Sequence, residues 1–211
     1  MLLFPELTQL DLTGPFEVFH RLPNATVHLL WKTKELVRSD SGLGLAPTTT
    51  FDACPPLDLV FVPGGYGQIA VMSDEAVIRF VAEQGKRARW VTSVCTGAFV
   101  LGAAGLLEGY AATTHWAYRE LLPRFGARLG DGRVVVDRNR ITAGGVTAGI
   151  DFGLRVFAEV AGAQRAKEIT LELEYDPAPP FRSGHPNVAD PEVLAAVQAR
   201  LAERFAARAR Q

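Results

Sequence analysis

Apolar positions along this chain fall into two patterns that alternate from end to end. Short continuous runs rich in β-branched residues predict strands buried on both faces. Such runs occupy residues 1–4, where Pro5 stops the run, and residues 26–31, 57–62, 90–94 and 110–114. Longer segments with apolar residues three and four apart predict helices. They cover residues 15–21, 74–87, 96–107, 116–125, 148–161, 164–174 and 190–207. Pro15 and Pro191 suit first helical turns, with Thr13 or Gly14 capping one helix and Asp190 the other. Ser73 is the expected cap of the helix that follows it. Residues 36–50 are polar and broken by glycine, which predicts short strands. Residues 134–137 and 140–143 predict a hairpin around Arg138-Asn139, a pair that two-residue turns rarely use. Residues 176–186 are rich in proline and end helical structure.

Alternation of strand and helix predicts a largely parallel α/β sheet covered by helices on both faces. The 211 residues suit one domain, residues 1–211, and no repeat or linker marks a second. A formal net charge of −1 supplies no basic field, so neither nucleic acid nor an anionic membrane is an expected partner. Arg200, Arg204, Arg208 and Arg210 cluster near the C-terminus, but Glu192 and Glu203 interleave with them and predict a solvated face. No apolar run reaches the roughly 20 residues needed to span a bilayer. No basic n-region with a long apolar run opens the chain, so no secretory signal is expected. The two cysteines, Cys54 and Cys95, do not form a disulfide framework, and a reducing, cytoplasmic setting is the expectation.

Candidate chemistry concentrates at W-V-T-S-V-C-T-G, residues 90–97. Cys95 stands at the junction of a strand and a helix. A nucleophile there projects from the strand's carboxyl end and faces the unpaired N–H groups of the first helical turn. Those groups and the helix dipole are expected to favour a thiolate. The competing reading is a buried small hydrophobe at a tight turn. In open α/β sheets, sites form beyond the carboxyl ends of the strands. Three loops are expected to meet there: residues 5–14, 63–67 and 95–97.

Four segments together resemble the ThiJ/PfpI superfamily, and more closely its isonitrile hydratase branch. They are Q-L-D-L-T-G-P at residues 9–15, V-P-G-G at 62–65, V-T-S-V-C-T-G at 91–97 and A-T-T-H-W-A at 112–117. T-A-G-I-D-F at 147–152 and L-E-Y-D-P-A-P-P-F at 173–181 extend the likeness over nearly the whole chain. The resemblance implies a flavodoxin-like three-layer sandwich with a cysteine nucleophile elbow. It implies water addition to an isonitrile, R–N≡C, giving an N-substituted formamide. It assigns nucleophilic attack to Cys95, proton transfer to Asp11 and assistance to Thr96. It also implies a homodimer that needs no metal or organic cofactor.

The chemistry is consistent with that assignment. A soft carbon accepts a thiolate, and attack must be matched by protonation from a carboxyl whose pKa burial has raised. Thr96 can hydrogen-bond water or the imidate nitrogen, and N–H groups at Gly65 and at Thr96 or Gly97 can stabilise developing charge. Each residue has a plainer reading beside this one. Asp11 suits a turn or cap ahead of Pro15, and Thr96 suits a helix N-cap. Gly64 and Gly65 suit a tight turn. His115 can approach the cysteine or serve as a satisfied core or surface residue. Asp151 pairs with a neighbouring arginine in this reading, and Glu17 faces solvent or a dimer face, with a second site carboxylate as its alternative role. Cys54 is an inert thiol. Thr96 stands where protease-like members carry His, and Asp11 where redox and glyoxalase-like members carry Glu. Three rivals stay open: a glyoxalase-like activity, a redox-sensing thiol and a non-catalytic ligand sensor of the kind found in AraC-type regulators. A direct DNA-binding regulator is not expected, because no helix-turn-helix domain fits after the α/β domain.

Overall fold

A computed structural model describes residues 1–208 of the protein, and the side chains of residues 1–207. Of the C-terminal arginines, Arg210 and the side chain of Arg208 lie outside the described residues. The first half contains α1 (Gln9–Phe19), β1 (Leu30–Trp31), β2 (Val37–Arg38), β3 (Gly44–Leu45), β4 (Thr49–Thr50), β5 (Leu59–Val62), α2 (Gln68–Met72), α3 (Glu75–Arg87) and β6 (Trp90–Val94). The second half contains α4 (Gly97–Ala103), β7 (Ala111–Ala112), a 3-10 helix (Trp116–Phe125), β8 (Arg128–Leu129), β9 (Val134–Asp137) and β10 (Arg140–Ala143). Three helices close the chain: α5 (Ala148–Ala161), α6 (Ala163–Glu172) and α7 (Pro191–Arg208).

The central sheet has the order β5-β6-β10-β9. β6 runs parallel to both β5 and β10, and β9 pairs antiparallel with β10. Beyond β5, residues 1–4 extend the sheet: the Leu2 N–H donates to the Phe61 carbonyl, and the Leu3 N–H donates to the Leu30 carbonyl. β1 then pairs in parallel with β4. The sheet is covered on both faces, as the alternation predicts, and the architecture is the flavodoxin-like α/β sandwich. On one face Phe61 of β5 meets Phe152 of α5 at 5.3 Å between ring centroids. Phe19 of α1 packs edge-on to both, at 6.1 and 5.9 Å. On the other face α2, α3 and α4 pack against one another, and α3 and α4 pack against β5. α3 buries Val77, Val81 and Gly85, four residues apart, and puts Lys86 and Arg87 in its last turn, where they complement the dipole.

Several expected boundaries differ, each for a local reason. α1 begins at Gln9 and carries Pro15 in its interior, because burial of Asp11 and Leu12 draws the preceding loop into the helix. Asp74, not Ser73, caps α3: its carboxylate accepts from the Val77 N–H at 3.3 Å, while Ser73 follows the end of α2. α2 itself was not predicted. Only residues 30–31 of the run 26–31 join a ladder, and residues 1–4 contribute one isolated bridge, Leu2 to Leu30. The run 110–114 narrows to β7, which pairs with an unpredicted strand, β8. The segment 116–125 is a 3-10 helix that ends on left-handed Gly126 after Pro123. α4 stops at Ala103. The hairpin of β9 and β10 forms with Arg138 at φ 56°, so arginine takes the left-handed position that Asn or Gly usually fills.

The register of β5, β6 and β10 is what positions the site. Ser93 lies opposite Val62 on one side and Thr142 on the other, so all three strands end level just before Cys95. Close approach of α4 to β5 holds that level, and Gly97 permits it. A Cβ there would stand 2.2 Å from the Val62 carbonyl oxygen and 2.6 Å from that of Pro63. Alanine would gain about 1 kcal/mol of helix propensity, but the carbonyls it meets belong to the core strand and cannot retreat. Gly97→Ala is therefore expected to destabilise the fold by about 2–3 kcal/mol, lowering Tm by roughly 5–10 °C in thermal denaturation.

Candidate active site

Cys95 occupies a strained turn. Its φ is 54°, a left-handed conformation that costs a non-glycine residue on the order of 1–3 kcal/mol. Hydrogen bonds pin the strain in place. The Cys95 N–H is shared between the carbonyls of Ala143 (3.0 Å) and Gly144 (3.1 Å). Its carbonyl accepts from the buried Thr114 hydroxyl at 2.6 Å. The strand end, the β10 exit loop and the segment after β7 therefore fix one backbone geometry together.

The first loop delivers Asp11 to the same point. Its carboxyl is fully buried, and Oδ2 accepts from the Gly64 N–H at 3.1 Å. A Cβ placed on Gly64 would lie 2.7 Å from each of Asp11 Oδ2, Cys95 Cβ and the Thr96 nitrogen. Three elements thus converge on a space that only glycine leaves open. The Asp11 carboxyl and the Cys95 side chain face the same space beside Gly64 and are electrostatically coupled. Burial drives the electrostatics of this pair. It raises the Asp11 carboxyl from 3.8 to about 8, against the opposing pull of Cys95 and of its bond to Gly64. It also pushes the thiol well above its ordinary value, with the Asp11 charge adding to the effect. The expectation of a thiolate stabilised by the helix terminus is corrected here: desolvation outweighs the few N–H groups of a seven-residue helix.

Thr96 does not cap α4 through its side chain. Its hydroxyl instead bridges to Gly65, accepting from that N–H at 3.1 Å and donating to that carbonyl at 3.3 Å. Gly65, at φ 135°, adopts a conformation open to glycine. Its N–H is thus engaged by Thr96 in this structure. Gly97 packs on the β5 carbonyls beneath the turn. His115 lies beside the cysteine: a Cβ on Gly145 would touch both His115 Cδ2 (2.2 Å) and Cys95 Sγ (3.3 Å). Its Nδ1 accepts from the Ala117 N–H at 3.3 Å, and burial lowers its pKa, so the ring is neutral with its proton on Nε2.

The remaining candidates sit elsewhere. Asp151 pairs with Arg133 at 2.5 Å and accepts from the Tyr175 hydroxyl at 3.0 Å. Glu17 pairs with Arg21 on the exposed side of α1. Cys54 is half-buried, and burial raises its pKa. Among the described residues no group of three or more His, Cys, Asp or Glu side chains is arranged to hold a metal ion. No described helix is long and apolar enough to cross a membrane.

Cys95 opens into a cavity of about 260 Å³, walled by Gly65, Tyr66, Gln68, Thr96, His115, Tyr118 and Val146. Leu201, Arg204 and Phe205 of α7 close one side, and Thr8 and Asp40 form part of the rim. A larger cavity of about 450 Å³ lies at the other end of the sheet, beside Met1 and Trp90, and contains none of the candidate residues. Sequence reasoning missed Thr114, Gln68, Tyr118, Gly145 and all of α7. Thr114 and Tyr118 flank the His115 motif in sequence, and Gln68 follows the glycine-rich loop directly, so adjacency was the available signal. Nothing in its own sequence places α7 over the cysteine.

Two outcomes follow from this geometry. Thr114→Val leaves the buried Cys95 carbonyl without its donor, which should cost about 1–3 kcal/mol of stability by denaturant unfolding. Asp11→Asn removes an acid that the fold holds protonated while the unfolded chain ionises it. Between about pH 4 and about pH 8 the wild type should lose stability relative to that variant, by up to about 1.4 kcal/mol per pH unit. The difference should level off above that range, as read from unfolding curves at several pH values.

Comparison with known proteins agrees with this architecture. The family model described as DJ-1/PfpI matches residues 1–159. The chain is 54% identical over 193 residues to isonitrile hydratase of Pseudomonas putida, covering 92% of this chain and 85% of that protein. It is 32% identical over 154 residues to the HTH-type transcriptional regulator GbdR of Pseudomonas aeruginosa, but spans only 41% of that protein. A crystal structure of a ThiJ/PfpI family protein from Pseudomonas syringae superposes with a TM-score of 0.95 at 45% identity, covering 99% of this chain and 87% of that one. With its cysteine elbow, its buried carboxyl and a family match across three quarters of its length, the chain belongs to the DJ-1/PfpI family.

Proposed function

We propose that the protein is an isonitrile hydratase, converting R–N≡C and water to R–NH–CHO. The observation that carries the reading is the 54% identity to the Pseudomonas putida isonitrile hydratase across 92% of the chain. The buried pair of Cys95 and Asp11 supplies a chemistry that fits it.

The working form is the pair with one proton left to share. Loss of the first proton near pH 8 permits the arrangement of a thiolate beside a carboxylic acid. Sulfur attacks the terminal carbon, and the Asp11 proton passes to that same carbon. A C–S bond and a C–H bond form, and the product is the thioimidate R–N=CH–S–Cys95. Asp11 is left as a carboxylate, ready to take a proton from the water that hydrolyses the adduct. Thr96 holds the Gly65 turn against the elbow, and its hydroxyl oxygen keeps a second lone pair that can accept from water. His115 and Gly65 border the substrate, and Gly97 sets the depth of the elbow. The resemblance further implies a cytoplasmic homodimer working without metal or organic cofactor.

Desolvation of Cys95 works against the sensor reading, because peroxide oxidises a thiolate and burial disfavours one in the resting site. The test is to supply cyclohexyl isocyanide and measure N-cyclohexylformamide. Wild type should turn over and Cys95→Ala should not. Asp11→Asn should fall by at least about 100-fold. For wild type, kcat/KM should rise with pH through a midpoint near pH 8 and level off above it as the shared-proton form accumulates. Absence of formamide with wild type, or its persistence in Cys95→Ala, overturns the reading.

A further inference from the structure

Among the described residues, six buried side-chain nitrogen and oxygen atoms lack a hydrogen-bond partner. Two of them belong to residues that line the cavity into which Cys95 opens, Gln68 Oε1 and the Tyr118 hydroxyl, and a third, Asp11 Oδ1, belongs to the buried carboxyl beside Cys95. Buried polar atoms are nearly always paired, so this concentration marks groups awaiting something that binds there. Asp11 is already accounted for by its pairing with Cys95. Gln68 and Tyr118 are not.

Gln68 is 2% exposed and lines the cavity from the first residue of α2. Burying an amide oxygen without a partner costs on the order of 1–3 kcal/mol, and leucine would fill the same space without that cost. Tyr118 lines the same cavity from the 3-10 helix. Its ring lies between His115, at 5.6 Å between centroids, and Phe205 of α7, at 5.7 Å. Burial, with Tyr66 and Cys95 nearby, pushes its hydroxyl up to about 12, so it remains a donor at every working pH. Of the other groups near the sulfur, the Gly65 N–H and the Thr96 hydroxyl bond each other's residues.

We propose that Gln68 and Tyr118 are catalytic residues of the hydrolytic half-reaction, Gln68 holding the attacking water and Tyr118 donating to the thioimidate nitrogen. The assignment rests on the isonitrile hydratase reading. Water bonded to Gln68 Oε1 adds its oxygen to the imidate carbon and gives one proton to the Asp11 carboxylate. The C=N bond becomes single, and its nitrogen takes a proton from the Tyr118 hydroxyl. The new carbinol O–H returns a proton to Tyr118 as C=O forms. The C–S bond breaks in the same step, sulfur leaves as thiolate with the bonding pair, and R–NH–CHO departs. The enzyme regains a thiolate beside a protonated Asp11, as at the start.

The test is a single-turnover experiment with cyclohexyl isocyanide, quenched in acid and read by intact-protein mass. The adduct adds the full mass of the isonitrile to Cys95. In Tyr118→Phe and in Gln68→Leu, the adduct should form at the wild-type rate and decay at least tenfold more slowly. Both variants should melt at or above the wild-type temperature, since each removes an orphaned polar group. Decay at the wild-type rate in either variant overturns the role of that residue. Slowed adduct formation with unchanged decay also overturns it, because it marks a packing or binding role. If wild type forms neither adduct nor formamide, the isonitrile hydratase reading itself falls.

Discussion

Everything at this site depends on a carboxyl and a thiol sharing one dry space. Water is kept from Asp11 by α1 on one side and by the Gly64 turn on the other. Moving its pKa from 3.8 to about 8 corresponds to a preference for the protonated form on the order of 5 kcal/mol. That is a large fraction of the net stability of an ordinary domain. The rest of the fold has to offset it. The Phe19, Phe61 and Phe152 cluster binds α1 and α5 to β5, and so holds the acid in place from behind. The strained φ of Cys95 adds a smaller cost of the same kind, met by Thr114, Ala143 and Gly144.

Much of this was legible in the residues, because the signals were local. The runs 57–62 and 90–94 are apolar and β-branched, and both became parallel strands of the central sheet. The Cys95 elbow follows from a strand running straight into small residues. Meeting of the three loops followed from the rule that parallel strands end on one side. What was not legible depended on tertiary context. Residues 9–14 read as a loop because Asp11 and Thr13 are polar, yet burial of Asp11 makes them the first turns of α1. The sign of the thiol's pKa shift could not be read either. Helix-terminus N–H groups are visible in a sequence, whereas complete desolvation is a property of the packed whole. The contribution of α7 was the least accessible: its amphipathic pattern predicts a helix but not the surface it covers.

Distribution of the unpaired polar atoms separates site from scaffold. The scaffold satisfies its buried groups in ordinary ways: Thr92 donates to the Val60 carbonyl at 2.8 Å, and the Thr113 N–H donates to the Thr142 hydroxyl at 2.9 Å. Half of the unpaired buried atoms among the described residues instead gather around one cysteine. A fold selected for stability alone would replace Gln68 and Tyr118 with apolar residues of similar shape, at little cost in packing. Local departures of this kind are expected where a protein does chemistry.

The same elbow can serve different reactions because its electrostatics are set by neighbours, not by the turn. A cation beside the sulfur would lower the thiol and leave an exposed thiolate open to oxidants. A buried acid does the reverse, holding the thiol protonated and linking any thiolate to a proton on an adjacent oxygen. Such a pair is well suited to a carbon that must receive sulfur and hydrogen together, and the terminal carbon of an isonitrile is of that kind. In the proposed reaction, burial of Asp11 would set the chemistry as well as the protonation state, since it would let nucleophile and proton arrive at one atom without either being free beforehand.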